Sequence, residues 1–267
     1  MLSDLRFALR TARKSPGPAL TAICTLVLGI GANTAMFSIA SGVLLRPLPF
    51  AQPDRLVQLR ESDGFNTAGT SAVYYSDLDS WRKRSRSFES MAAYGNISRN
   101  LEDVPDPERL AAVWAERGLF RMLGVEPLAG RTFRDDDPPD VVVIAEGLWR
   151  RRFGAEPSSI GRSITLDGQP YTVIGVMSEA FQFPYRASRT DVWIPWSVPP
   201  QYAGNPGYRV DFAAGRLRPG VTVDSALREL AVIANPARRA IVTPLSEMVP
   251  DMCAPSSPFW ARWGWCC

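Results

Sequence analysis

The longest charge-free stretch of apolar and small residues lies near the N-terminus: residues 19–45 read ALTAICTLVLGIGANTAMFSIASGVLL. About 20 apolar residues cross the hydrocarbon core of a bilayer, so this run predicts one transmembrane helix with some tilt. Upstream, Leu2, Leu5, Leu9 and Ala12 recur at helical spacing opposite Arg6, Arg10 and Arg13. That pattern predicts an amphipathic helix lying along the membrane surface, separated from the span by Pro16 and Pro18. Arg6, Arg10, Arg13 and Lys14 outweigh Asp4, and a basic flank of this kind predicts a cytoplasmic N-terminus. The competing reading is a cleaved secretory signal with Ser38-Ile39-Ala40 as its small-x-small site. A signal core usually holds only about 7–15 apolar residues, fewer than this run offers. Within the run, Gly31 and Ala35 lie four apart, as do Thr34, Ser38 and Gly42, and Asn33 adds a polar group. Small residues at that spacing let a second membrane helix approach closely, and these six positions are the candidate helix-packing residues.

Beyond Arg46-Pro47-Leu48-Pro49-Phe50, a stiff exit from the membrane, the periodicity changes. Strands are predicted at 56–60, 91–94, 108–116, 141–144, 191–194 and 212–217, with a short last one at 241–242. Residues 62–72, rich in Gly, Ser and Thr, read as a loop. Helices are predicted at 76–84, 119–123, 146–153 and 223–234; Gly124 and Gly154 stop the second and third. In the last of them Leu227, Leu230 and Ala231 are expected to face inward. Residues 164–166 and 171–177 predict a hairpin, and Pro170 predicts that its loop exceeds two residues. The elements alternate irregularly, which favours an α+β domain over a doubly wound parallel sheet.

Composition narrows the chemistry. The chain of 267 residues has 46% hydrophobic residues, enough for a folded core, and a net charge of +3, too weak to argue for nucleic acid. Histidine is absent, which excludes Ser-His-Asp, Cys-His and histidine–zinc chemistry. Between Cys24 and Cys253 there is no cysteine, so the folded region has neither a disulfide framework nor a thiolate metal site. Asp135-Asp136-Asp137 with Asp140 lacks the alternation and glycine of a calcium loop and reads as a solvated turn. Trp149-Arg150-Arg151-Arg152 offers cations for a phosphate, but on a helix they diverge and read as a solvated face, with Trp149 and Phe153 on the buried side. No catalytic, cofactor or metal residue is assigned, and the chain is not expected to be an enzyme.

The pieces taken in order resemble the MacB/FtsX-type permeases of ABC transporters, in particular those with a MacB-like periplasmic core domain. The resemblance rests on LRFALRTARKSPGPALTAICTLVLGIGANTAMFSIASGVLLRPLPF at 5–50, YYSDLDSWRKRSRSFESMAAY at 74–94 and FRMLGVEPLAGRTF at 120–133. It continues through VVVIAEGLWRRRFGAEPSSIGRSITLDGQPYTVIGVM at 141–177, DVWIPW at 191–196 and GRLRPGVTVDSALRELAVIA at 215–234. It implies a cytoplasmic segment at 1–17, a transmembrane helix at 18–45 and a periplasmic core domain at 46–245 of the bacterial inner membrane. It also implies three further membrane helices, a cytoplasmic ABC-type ATPase as partner, and a second permease copy. ATP is then bound by the partner and not by this chain, which needs no cofactor and transmits ATP-driven motion to the periplasmic domain without catalysis. The alternative from another class is a single-span or secreted binding module working without an ATPase.

Residues 246–267 depart from this pattern. MCAPSSPFWARWGWCC, at 252–267, holds three Trp and three Cys and suits neither a span nor a core strand. Its codons, with both serines taken from the TCN box and read two bases in, give Val and then Arg or Cys. A mostly apolar run ending Leu-Gly-small-aliphatic-Gly-aliphatic-Val-Leu follows. We therefore expect a frameshift near Asp251 in a gene whose original frame continued into a second span, which sequencing of the locus checks. For topology, a periplasm-active reporter fused after Ile194 should be active and one fused at Pro16 inactive; the reverse pattern overturns the orientation.

Overall fold

The computed structural model describes residues 50–62, 72–102, 106–181, 183–184, 189–202 and 204–247, with residues 17, 21, 25–31, 33 and 34 of the N-terminal run. The chain divides into two units, Met1–Leu48 and Pro49–Cys267. In the first, residues 25–31, 33 and 34 are helical, and Leu26, Val27, Leu28 and Ile30 are 60–73% exposed. The Thr21 and Thr25 hydroxyls donate to the carbonyls of Gly17 and Thr21, four residues back, so these polar groups are satisfied within the helix. Among the described residues no helix is long and apolar enough to cross a membrane. The remainder of the predicted span, the amphipathic segment before Gly17 and the tail after Glu247 lie outside the described residues.

Along the second unit run β1 (Leu56–Ser62), β2 (Val73–Tyr74), α1 (Tyr75–Arg84), β3 (Phe88–Leu101), β4 (Glu108–Glu116), α2 (Leu119–Leu123), β5 (Ala129–Gly130) and β6 (Val141–Ala145). Then come α3 (Glu146–Phe153), β7 (Ser163–Leu166), β8 (Gln169–Met177), β9 (Val192–Trp196), β10 (Arg209–Val210), β11 (Phe212–Leu217), α4 (Val223–Ile233) and β12 (Arg239–Pro244). Ten strands form one mixed sheet in the order β12-β1-β11-β3-β4-β9-β6-β8-β5, with β7 bridging β8 and β3. Only β4–β9 and β6–β8 pair in parallel among its described ladders.

β3 organises this sheet. Its first half, Phe88 to Tyr94, pairs with β11, and its second, Tyr94 to Leu101, pairs with β4. The pairing of Leu101 with Leu166 then closes a circuit β3-β4-β9-β6-β8-β7. Two apolar cores result. One, with Val57, Leu59, Leu78, Trp81, Ala226 and Leu230, lies between β1/β11/β12 and helices α1 and α4. The other, with Leu110, Val142, Ile144, Leu148, Ile164 and Val192, fills the strand circuit and takes Leu148 from α3. Side chains two apart on a strand share a face, so Tyr94 points away from Ala93 and Gly95. It enters an aromatic layer with Phe183 and Phe212, and Trp193 joins that layer through Phe181 and Phe120.

The predicted elements recur with changes that have physical causes. The strand expected at 91–94 extends to Leu101, because pairing with β4 carries Gly95, Asn96, Ser98 and Asn100, weak strand formers, along with it. The hairpin loop is two residues, not more: Asp167 and Gly168 have φ of 49° and 74°, and Leu166 pairs with Gln169 and Thr165 with Pro170. The closing pair of such a hairpin exchanges the hydrogen bonds and the next pair does not. Pro170 occupies that next position, beyond the end of β6 at Val141, so its missing N–H is not needed. In α4, Ala226 and Leu230 are buried and Leu227 is half-buried, whereas Ala231, expected inward, is exposed. The fully buried positions are four apart, on a narrower stripe than predicted.

α4 is tied to the α1–β3 connection by one carboxylate. Glu229 accepts from Ser85 Oγ at 2.7 Å, Arg86 N at 2.7 Å and Ser87 N at 2.9 Å. Burial alone would raise its pKa, but these donors outweigh that and bring it down to about 2. Glu229→Gln should therefore lower stability by about 1–2 kcal/mol at neutral pH. Because the folded pKa is depressed, the wild-type advantage is complete above the ordinary glutamate range and fades as pH falls towards about 2. Urea unfolding of both proteins across that range measures it.

Candidate functional site

The two cores leave a seam on the sheet face they share. At the seam β3 carries Gly95, which pairs with Trp114 of β4; Trp114 pairs in turn with Ile194 of β9, two residues before Trp196. The two indoles meet with centroids 4.6 Å apart. Trp196 stacks on Tyr208 (6.5 Å, 10° between planes) and Tyr208 on Tyr202 (4.7 Å, 12°). Tyr75, the first residue of α1, meets Trp196 edge-on at 6.1 Å. Trp114, Trp196, Tyr75 and Tyr208 are half-buried and Tyr202 is 41% exposed, so the stack is a ledge rising from the seam to solvent. A Cβ at Gly95 would overlap both the Trp114 ring and Asp211 Oδ2, so only glycine lets the indole cross β3. At one end of the ledge the Glu116 carboxylate accepts from Arg82 and from Ala93 N.

Beside the ledge lies a buried polar cluster. Glu61, 3% exposed, accepts from Tyr74 N at 2.8 Å. Asp77, 8% exposed, accepts from Arg238 Nη1 at 2.7 Å. Arg238 and Arg209 stack on the Tyr74 ring, 3.3 and 4.7 Å from its centroid. Burial pushes the Glu61 carboxyl up to about 8; the Tyr74 N–H and Arg238 oppose this and Asp77 reinforces it. The small sheet β2–β10 links cluster and ledge: Tyr74 pairs with Arg209, and Tyr75 N donates to Tyr208 O at 2.9 Å.

The residues singled out in the sequence are elsewhere. Asp137 is buried, not solvated, and takes two bonds from Arg131 at 2.6 and 2.7 Å and one from Arg134 N; the Arg131 bonds hold its pKa below the usual range. Asp135 and Asp136 are exposed, Asp135 paired with Arg121. The α3 arginines lie on a largely exposed face, as expected, and each is also engaged in an ion pair. Arg150 pairs with Glu146, Arg151 with Glu108 and Asp191, and Arg152 with Glu108, pinning α3 to β4 and to the start of β9. Within that helix Leu148 is the buried residue, and Trp149 and Phe153 are half-buried. Gly31, Asn33 and Thr34 are exposed helical residues; Ala35, Ser38 and Gly42 lie outside the described residues. Among the described residues no cluster of three or more Cys, Asp or Glu side chains is placed to hold a metal ion. Two cavities, of about 240 Å3 against α1 and about 170 Å3 against α3, fall below the ~300–1,000 Å3 usual for small-molecule sites.

Sequence reasoning passed over the ledge because aromatic residues on strands read as core. These do pack against the first core, but at its margin, where they stay half-buried.

Fold and seam define a two-core α+β domain that carries a stack of rings on its surface. The chain belongs to the family of the MacB-like periplasmic core domain, whose model matches residues 19–233. Among solved structures it is similar to the periplasmic region of MacB from Actinobacillus actinomycetemcomitans (TM-score 0.54, 16% identity, covering 76% of this chain and 94% of that one). It is also similar to the extracellular domain of the noncanonic ABC-type transporter YknZ from Gram-positive bacteria (TM-score 0.52, 17% identity, covering 70% and 99%). No curated protein matches the chain.

Gly95→Ala tests the seam. Forcing a methyl group between Trp114 and Asp211 should cost about 1–3 kcal/mol in urea unfolding and weaken the near-ultraviolet circular dichroism of the stacked rings. An unchanged spectrum would show that Trp114 does not lie over β3.

Proposed function

We propose that the chain is a permease subunit of an ABC transporter, or the N-terminal part of one, anchored by residues 18–45 with residues 46–245 outside the cytoplasm. It acts mechanically: a cytoplasmic ATPase binds and hydrolyses ATP, and the chain carries the resulting motion through the membrane to its outer domain. The observation that carries this reading is the family match at 19–233, which takes in both the apolar run and the folded domain as one unit. Two structural features support it. The described helical residues of the run present Leu26, Val27, Leu28 and Ile30 outward, as a lipid-facing surface does. The chain also enters and leaves the folded domain at one edge, where Val57 of β1 pairs with Pro244 of β12. A domain inserted between two spans on one side of a membrane needs that arrangement. Gly31, Asn33, Thr34, Ala35, Ser38 and Gly42 are proposed to face other membrane helices or a second copy.

The full-length chain, tagged and solubilised from membranes, should co-purify with a nucleotide-binding subunit, and only the complex should hydrolyse ATP. Recovery from the soluble periplasmic extract with a new N-terminus after Ala40 and no ATPase would overturn the proposal in favour of a secreted binding module.

A further inference from the structure

We infer that the groove between helix α1 and the open edge of β3 is a docking site for a short extended segment of a partner polypeptide, held by strand pairing and carrying acidic residues. The inference uses the folded domain alone and does not depend on the permease reading.

β3 is paired on both edges for only half its length. β11 runs along Phe88 to Tyr94, but β4 joins the other edge only from Tyr94 to Leu101. β4 ends at Glu116, whose carboxylate accepts from Ala93 N at 2.7 Å, and the chain then turns into α2. Peptide groups two residues apart on a strand point to the same edge. Ala93 N–H points to the β4 side, so the N–H and C=O of Met91 point there too, and among the described residues neither has a partner on that side. Pairing with β11 shifts register between Ser90 and Phe88, so the regular open edge is short, and so is the segment it takes.

The cavity of about 240 Å3 against α1 lies along this edge. Its strand wall is Phe88 to Met91, and its helix wall is Trp81, Arg82 and Ser85. Successive side chains of a strand alternate between faces. Four successive residues of β3 line the cavity, so it follows the edge rather than one face. Small for a free ligand, it suits the side chains that an added strand turns inward. A strand edge facing a helix across a groove accepts a peptide by β-strand addition: the new backbone supplies the missing ladder bonds, and alternate side chains enter the groove. On the helix wall, Trp81 Nε1 and Arg82 Nε are buried donors without an acceptor, so both walls carry unused hydrogen-bonding capacity.

Charge at the rim selects the occupant. Arg82 and Lys83 are paired with Glu116 and Asp79, and Glu89, the acid on the groove, is held by Arg55. Arg84 and Arg86, on either side of Ser85, are exposed and have no ion-pair partner among the described residues. Two uncompensated positive charges thus stand beside an open backbone edge. A segment with an apolar residue turned in against Trp81, Phe88 and Met91, and with Asp or Glu beside Arg84 and Arg86, satisfies both.

The test uses the full-length chain in lipid nanodiscs, with a blocked hexapeptide of alternating Asp and Val as the probe. This peptide should bind saturably and slow hydrogen exchange of the Met91 amide. The same peptide N-methylated at every residue, and a Lys–Val peptide, should each bind at least about tenfold more weakly. Met91→Pro removes an N–H that the sheet does not use and should abolish binding. Arg84→Glu with Arg86→Glu changes only exposed side chains and reads the proposal even if Met91→Pro does not fold. It should weaken the Asp–Val peptide at least about tenfold and shift the preference to the Lys–Val peptide. No saturable binding of the Asp–Val peptide to the wild type overturns the proposal. Binding that spares the Met91 amide, or protects the open edge of β12 instead, overturns the site. Equal binding of the N-methylated peptide overturns strand pairing, and equal binding by the charge-reversed variant overturns the acidic partner.

Discussion

Strand β3 has to serve two hydrophobic cores with one backbone, and most of the architecture is a response to that demand. Fourteen residues of strand reach about 45 Å, longer than either neighbour, so pairing passes from β11 to β4 at Tyr94. One side of that residue's plane receives a fully buried tyrosine, whose hydroxyl is pushed well above its usual pKa by burial. The opposite face must be bare, because Trp114 and Asp211 occupy the space a side chain at Gly95 would need. The seam is the consequence of two cores on one continuous strand, and the ledge rises where the first core reaches its half-buried margin.

Charge is used at the joints between elements. Arg131 holds the turn at Asp137, Arg151 and Arg152 hold α3, and Arg238 holds the beginning of α1. Arg216 is the exception in kind: it is buried and donates to the carbonyls of Met122 and Ala51 at 2.6 and 2.7 Å, so its charge is met by backbone dipoles. A guanidinium with five donors can do this without a carboxylate. Burial, then the nearby Arg55, lowers its pKa, while Glu89 opposes that shift.

Helical periodicity and glycine stops made α1, α2, α3 and α4 legible, because each presents Leu, Trp or Phe to a core and ends on a recognisable signal or polar run. The apolar run at 141–144 was equally plain, since a strand buried on both faces needs no alternation. Strands β2, β5 and β10 were not legible. Each is two residues long and exists because a distant partner is brought alongside, as with Val73 and Val210. The polar cluster was hidden for the same reason. Glu61 and Asp77 lie sixteen positions apart on different elements. The bond between Asp77 and Arg238 crosses 161 positions.

The edge pairing of β1 with β12 sets the direction in which the domain is mechanically weak. Leu56 and Pro244 sit at adjacent ends of an antiparallel pair, with Val57 opposite Pro244 and Ser62 opposite Arg239. Drawing the two ends apart loads these ladder bonds one after another, like a zipper, and peels β12 from the sheet at low force. Moving the two ends together loads none of them. Displacement of the ends in concert carries the sheet, both cores and the ledge as one body, whereas divergent displacement is absorbed at the first rung.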